Sequence, residues 1–159
     1  MVIKYLEVIF MSNLWIINLK DNRDGSNKND DTKFNICKKE KFVAFGWVTP
    51  DKRTQANYNK ADRAFSKMRV GDYVWTKNPK TKSDFYLLEI IDDEIKDYLI
   101  EGNTYFLDND ISKSIKVNQI KEYHKNILPP GISKRDIVAR STIEQVHREH
   151  LIKATQKII

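Results

Sequence analysis

Phe42-Val-Ala-Phe-Gly-Trp47, followed by Gly71-Asp-Tyr-Val-Trp75, is the reading on which the fold of this chain turns. Each stretch is a short apolar run rich in aromatic and β-branched residues, the composition of a strand. Each also ends on a tryptophan. An indole N–H must find a partner when it leaves water, so a strand covered on both faces has little use for that side chain. The segment between the two strands is basic. Two tryptophan-bearing strands beside a cationic segment are what a pocket for a flat ring attached to phosphate requires.

Working outward, charge is distributed in blocks. Lys52 to Lys82 holds nine Lys/Arg against Asp62 and Asp72, a net of +7. Asp84 to Asp110 holds nine acids against Lys96, a net of −8, and Ile111 to Ile159 holds ten Lys/Arg against four acids, a net of +6. The chain is thus bipolar within its overall +6. A solvated surface with uneven charge accounts for this; so does a cationic face for a polyanion.

A length of 159 residues with 40% hydrophobic and 11% aromatic content fits one domain with a core of its own. The single cysteine, Cys37, excludes an internal disulfide and a cysteine-based zinc site, and suits a reducing cytoplasm, the expected location. No apolar run approaches the length of a membrane span. Met1 to Phe10 carries Lys4 and Glu7 and lacks a cleavage site, so it does not read as a signal peptide. Residues 1–13 read as an N-terminal extension and 14–159 as the domain, with either Met1 or Met11 as the start.

Leu14 to Leu19 is a strand by composition, and the polar run Lys20 to Asp31, with its Asp-Gly and Ser-Asn signals, is a long mobile loop. Phe34 to Glu40 predicts one or two helical turns, and Phe42 to Val48 a strand ended by Thr49-Pro50-Asp51. Tyr58, Ala61, Ala64, Phe65 and Met68 recur at helical spacing, with Lys60, Arg63 and Lys67 on the other face. Strands are expected at Asp72 to Thr76, Phe85 to Ile91, Ile95 to Ile100, Thr104 to Leu107 and Ser114 to Ile120. Ser141-Thr-Ile-Glu144 has the form of a capping box opening a helix to about Thr155. The sum is an α+β fold, a small curved β-barrel of six or seven strands with two or three flanking helices.

The order of these pieces resembles the PUA-like superfamily, in particular the EVE and YTH-like readers and the N-terminal domains of modification-dependent restriction enzymes. The matching pieces are Trp15-Ile-Ile-Asn18, Phe42 to Trp47, Phe65 to Val74, Phe85-Tyr-Leu-Leu-Glu-Ile90, Ile115-Lys-Val117, Leu128-Pro-Pro-Gly131 and Arg140-Ser-Thr-Ile143. They cover nearly everything from Leu14 to Leu151. The resemblance implies a PUA-like barrel that binds nucleic acid by seating a flipped, modified base between aromatic side chains. It places Gly46 and Trp47 at the pocket wall, where Gly46 permits close backbone approach, and Trp15 and Asn18 on the strand bordering it. Trp75 and Tyr86 are not fixed positions of the family, so which of the four aromatics form the cage stays open. Trp47 and Trp15 read equally as core, and Trp75 as a barrel residue on one strand face with Tyr73.

Other chemistries find little footing. His147 and His150 stand one helical turn apart with no third ligand at suitable spacing, and Asp92-Asp93-Glu94 reads as an acidic turn. No nucleophile elbow, Walker loop or dinucleotide-binding glycine signature is present. Gly71-Asp72 reads as a tight turn in which Asp72 satisfies backbone donors, and Cys37 as a small packed hydrophobe. The expected protein is a non-enzymatic reader of a modified base, with methylated DNA as the expected partner and no metal or cofactor. Lys52, Arg53, Lys60, Arg63, Lys77, Lys80 and Lys82 would contact phosphate, and any cleavage would belong to a separate nuclease or motor. The alternatives are a protein-interaction or regulatory module of phage or mobile-element origin, favoured by the acidic block, and a small-molecule or nucleotide sensor.

Overall fold

The sheet is where this sequence commits itself. A computed structural model describes residues 12–21, 23, 25–46, 52–124, 127–139 and 141–159, with residues 52–54 described by their backbone alone. The expected extension as far as Met11, the tryptophan that follows Gly46 (Trp47), the Thr49 to Asp51 stop, Arg140 and the Lys52 and Arg53 side chains lie outside the described residues. In chain order the elements are β1 (Leu14–Ile17), α1 (Thr32–Glu40), β2 (Phe42–Phe45), α2 (Lys52–Lys67), β3 (Tyr73–Lys77) and β4 (Asp84–Asp97). There follow α3 (Tyr98–Glu101), α4 (Thr104–Leu107), β5 (Lys113–His124), a 3₁₀ turn (Lys134–Ile137), β6 (Ile143–Gln145) and α5 (Glu149–Gln156).

The six strands form one sheet in the order β2-β5-β4-β3-β1-β6. β1 runs parallel to β3, and the other neighbours are antiparallel. Register shifts between Leu87 and Leu88, and again between Ile90 and Lys96, break the long β4–β5 ladder. Such bulges bend a strand and raise its twist, and the sheet curves into a half-barrel with several flanking helices.

Alternation along β1 sends Trp15 and Ile17 to one face and Leu14 and Ile16 to the other. Trp15 and Ile17 join a core with Phe34 of α1, Phe42, Val43 and Phe45 of β2, and Ala61 and Phe65 of α2. Leu14 and Ile16 join a second core with Trp75, Phe85 and Leu87 and with Leu151 and Ala154 of α5. Both faces of the sheet are therefore covered. The apolar stripe expected on α2 is observed, since Ala61, Phe65 and Met68 are buried while Lys60, Arg63 and Lys67 are exposed or half-exposed. The helix starts six residues earlier than the stripe alone implies.

Three expectations are corrected. Ile95 to Ile100 and Thr104 to Leu107 are not two strands: β4 runs to Asp97, and α3 and α4 follow. The Asp97 carboxylate accepts from the Leu99 and Ile100 backbone N–H groups, and the Asn103 side chain accepts from that of Phe106. These caps open the helical turns. Ser141 to Glu144 does not open a helix; Ile143–Gln145 pairs with β1, and α5 begins at Glu149. Lastly, Asp92 to Glu94 are not a turn but lie within β4. The Lys20 to Asp31 loop bonds to itself among its described residues. The Lys28 ammonium donates to the carbonyls of Asp21 and Arg23 at 2.9 and 2.6 Å, while the Arg23 guanidinium bonds the Asp21 carboxylate and the Asp108 carbonyl at 2.6 and 2.7 Å.

Candidate functional site

The first question is what the tryptophans do. Trp15 is 1% exposed, and its indole N–H donates to Asp72 Oδ2 at 2.9 Å. The same carboxylate accepts from the backbone N–H groups of Asn13 and Arg69, both at 3.0 Å. Asp72 thus serves backbone donors, as its turn position implies, and also the ring. Gly71 enters that turn with φ +89°, a conformation that suits glycine. Trp75 is fully buried, and its N–H donates to Thr155 Oγ1 at 3.0 Å on the opposite face of the sheet. A strand covered on both faces does use tryptophan here, because a neighbouring element supplies each indole with an acceptor. Neither ring has a free face for a base.

Tyr86 is also closed off. It is 4% exposed and packs against Phe34 at 5.2 Å between ring centroids, with the Lys38 ammonium 5.0 Å from its own centroid. The cavity it shares with Phe34, Cys37, Phe42 and Leu88 is about 40 Å³, far below the range of ligand pockets. Burial, with Glu122 next, pushes its hydroxyl pKa upward. Burial likewise pushes the Cys37 thiol up to about 12, which makes it a poor nucleophile at neutral pH.

Gly46 lines neither this cavity nor the two open clefts near β6; its backbone is closely approached by a carboxylate. A Cβ there would collide with the Asp110 carboxylate. That carboxylate pairs with the Lys33 ammonium at 3.0 Å, both side chains being 1% exposed, and Lys33 also donates to the Lys20 carbonyl at 3.2 Å. Asp110 holds a left-handed backbone, φ 61°. The ends of β1 and β2, the start of α1 and the turn before β5 are thereby locked together by one buried ion pair. Sequence reading missed it, because no local signal joins two residues so far apart in the chain.

Two open clefts are lined in part by residues that precede or open β6. One, about 300 Å³, is lined by Asn57, Lys60 and Ala61 of α2 and by Ser141, Thr142 and Ile143. The other, about 70 Å³, is lined by Ile17, Asn18, Lys20, Lys77, Pro79 and residues 137–139. The Asn18 backbone N–H donates to the Thr142 carbonyl at 2.8 Å, joining a residue of one cleft to a residue of the other. Of the sequence-derived candidates, Asn18 and Lys77 meet in the small cleft and Lys60 stands in the large one. Arg63, Lys80 and Lys82 line neither. Lys20 was not among the candidates.

Among the described residues no three His, Cys, Asp or Glu side chains converge as metal ligands. His150 bonds the Asp136 carboxylate at 2.8 Å. No helix among the described residues is long and apolar enough to cross a membrane.

No protein-family model matches the chain, and no curated protein matches it. A solved structure, that of protein Atu2648 from Agrobacterium tumefaciens, is similar over 92% of both chains at 13% identity, with a TM-score of 0.42. A likeness of that size carries no argument about fold or function.

Proposed function

We propose that this chain is a nucleic-acid-binding module of the PUA-like kind, a reader that seats one base and does not alter it. The observation that carries the reading is the polar cleft of about 300 Å³ against α2, whose solvent face presents Lys60, Arg63 and Lys67. Its volume reaches the lower end of the range for ligand pockets. Asn57, Ser141 and Thr142 supply the amide and hydroxyl groups that read a base edge, and Lys60 supplies charge for the adjoining phosphate. Extruding a base costs a few kcal/mol, and aromatic stacking returns about 1–3 kcal/mol per base. Trp15, Trp75 and Tyr86 are sealed in the core and do not stack on a base. Phosphate contacts then carry more of the affinity, and binding falls steeply with salt.

The test is fluorescence anisotropy with methylated and unmethylated oligonucleotides, with free nucleosides in parallel. Lys60→Glu combined with Arg63→Glu weakens all oligonucleotides alike and reduces the salt slope by about 1 for each phosphate no longer neutralised. Thr142→Val reduces discrimination between modified and unmodified strands with the slope unchanged. Failure of the wild-type chain to bind any oligonucleotide would sink the reading.

A second reading, a protein-binding module, is favoured by one observation. Ile100 is 84% exposed and Tyr105 60% exposed within the acidic block, beside Glu101. Such side chains stay in water at a cost unless something covers them.

A further inference from the structure

The smaller cleft gathers positive charge without an internal counter-charge. Lys20 and Lys77 line it, and Lys82 lies close enough for its charge to act on Lys77. Among the described residues none of these three ammonium groups forms an ion pair. Burial, then repulsion from Lys20 and Lys82, holds the Lys77 pKa below the ordinary lysine value. Like charges are destabilising neighbours in a folded chain.

Local structure holds them together all the same. The Lys20 backbone N–H donates to Asn18 Oδ1 at 2.9 Å, and the Lys20 carbonyl is fixed by the buried Lys33. Lys77 ends β3, and the turn after it closes through Lys82 N–H to the Asn78 carbonyl at 2.9 Å, with Lys82 at φ 57°. Asn78 Oδ1 accepts from the Lys80 backbone N–H at 2.8 Å inside the same turn. Left-handed backbone at a residue other than glycine carries strain that the surroundings must hold. Repulsion and partial desolvation thus coincide at one cleft, with the strained Lys82 in the adjoining turn.

We propose that this cleft is a phosphate-binding site, with Lys20 and Lys77 as the contacting cations, Lys82 as a supporting charge, and the NH₂ end of Asn18 as a neutral donor. Its Oδ1 end is already engaged by Lys20. The volume of about 70 Å³ is well below the range of ligand pockets, in keeping with one tetrahedral oxyanion rather than a whole base. The apolar side of the cleft, Ile17, Pro79 and Val138, offers a lip for the sugar that carries the phosphate. On the proposed nucleic-acid reading, on which this assignment of the source rests, the phosphate is a backbone phosphate flanking the base seated in the larger cleft. A free phosphate compound has the same chemistry.

The experiment uses the full chain in two arms. In the first, side-chain ¹³C-labelled lysine signals are followed while inorganic phosphate is added, with Lys77→Met used to assign the Lys77 signal. In the second, oligonucleotide affinity is measured against salt for wild type, Lys77→Met, Lys20→Met, Lys77→Arg and the control Lys121→Met, an exposed lysine on β5. The expected result is a saturable phosphate-induced shift of Lys77. It is accompanied by a salt slope smaller by about 1 in Lys77→Met, restored by Lys77→Arg and unaltered by Lys121→Met. A saturable phosphate shift without any oligonucleotide binding keeps the phosphate site, assigns it to a free phosphate compound and removes the nucleic-acid reading. Oligonucleotide binding with an unchanged slope in both cleft variants, or an equal loss in Lys121→Met, overturns the site and leaves that reading standing. No shift and no binding overturns both. Thermal melting of each variant shows that it is folded.

Discussion

Lys33 and Lys77 are both withdrawn from water, and they answer the same physical problem in opposite ways. Lys33 is 1% exposed and faces Asp110 and a carbonyl. Lys77 is half-buried and faces two more lysines. Desolvating a charge is costly unless a partner offsets it. Where the partner is internal, the charge belongs to the architecture, and Lys33–Asp110 fastens four elements to one another. Where no internal partner is supplied, the charge is left to water, and on the proposed reading to a phosphate. That difference, rather than the count of basic residues, is what the proposal rests on.

The strongest way to break the comparison is at the lock. Lys33→Met removes the ion-pair partner of the buried Asp110 carboxylate, and removing one partner of a buried pair typically costs about 3–5 kcal/mol. The checking measurement is urea unfolding at neutral pH. A loss below about 1 kcal/mol would put the pair in the class of surface ion pairs and dissolve the contrast. Gly46→Ala comes next. Its methyl group meets the Asp110 carboxylate, which cannot swing into solvent, and overpacking of this kind costs about 1–3 kcal/mol. Denaturation of the double variant Gly46→Ala, Asp110→Ala should show the two changes to be non-additive, as expected of residues in contact.

The smallest effect on stability sharpens the other side. Lys77→Met should shift stability by no more than about 0.5 kcal/mol, the range of ordinary surface changes, while binding suffers. The pH dependence has a definite sign. Because the folded-state pKa of Lys77 lies below the ordinary value of 10.5, the unfolded chain binds more protons between those two values. Stability therefore rises with pH across that window as the charged, crowded form disappears. The rise is absent from Lys77→Met, which separates it from the tyrosines that titrate in the same range. A flat wild-type curve there would mean that the three lysines do not crowd one another.

Much of the scaffold is legible in the sequence because burial leaves a period. The apolar spacing of Ala61, Phe65 and Met68 locates α2, and Trp15-Ile-Ile and Tyr73-Val-Trp locate the β1–β3 pair. Where apolar content is read without its caps, the reading fails. Asp97 and Asn103 are helix-opening residues and Gly102 a helix-closing one with φ 69°, yet the apolar run Tyr98-Leu-Ile suggests a strand. At Ser141 to Glu144 the local signal is present and loses to pairing with β1, a tertiary effect that no local pattern encodes. The tryptophans mislead for a related reason. An indole does need a partner, but Asp72 and Thr155 meet that need from within the fold. Lys20 and Lys77, 57 positions apart by their numbers in the chain, meet only because β1 and β3 run side by side.

The sheet order carries one more consequence, for behaviour at high concentration. Among the described residues its rims are β6, of three residues, and β2, of four, while the interior strands β4 and β5 run to 14 and 12. An exposed strand edge is a template on which another chain can extend the sheet, and shortness is one of the ways proteins blunt it. A newcomer docking along β6 finds only a few backbone groups to bond, too few to hold a register. Among the described residues, then, both open edges of the sheet give end-to-end growth little to hold.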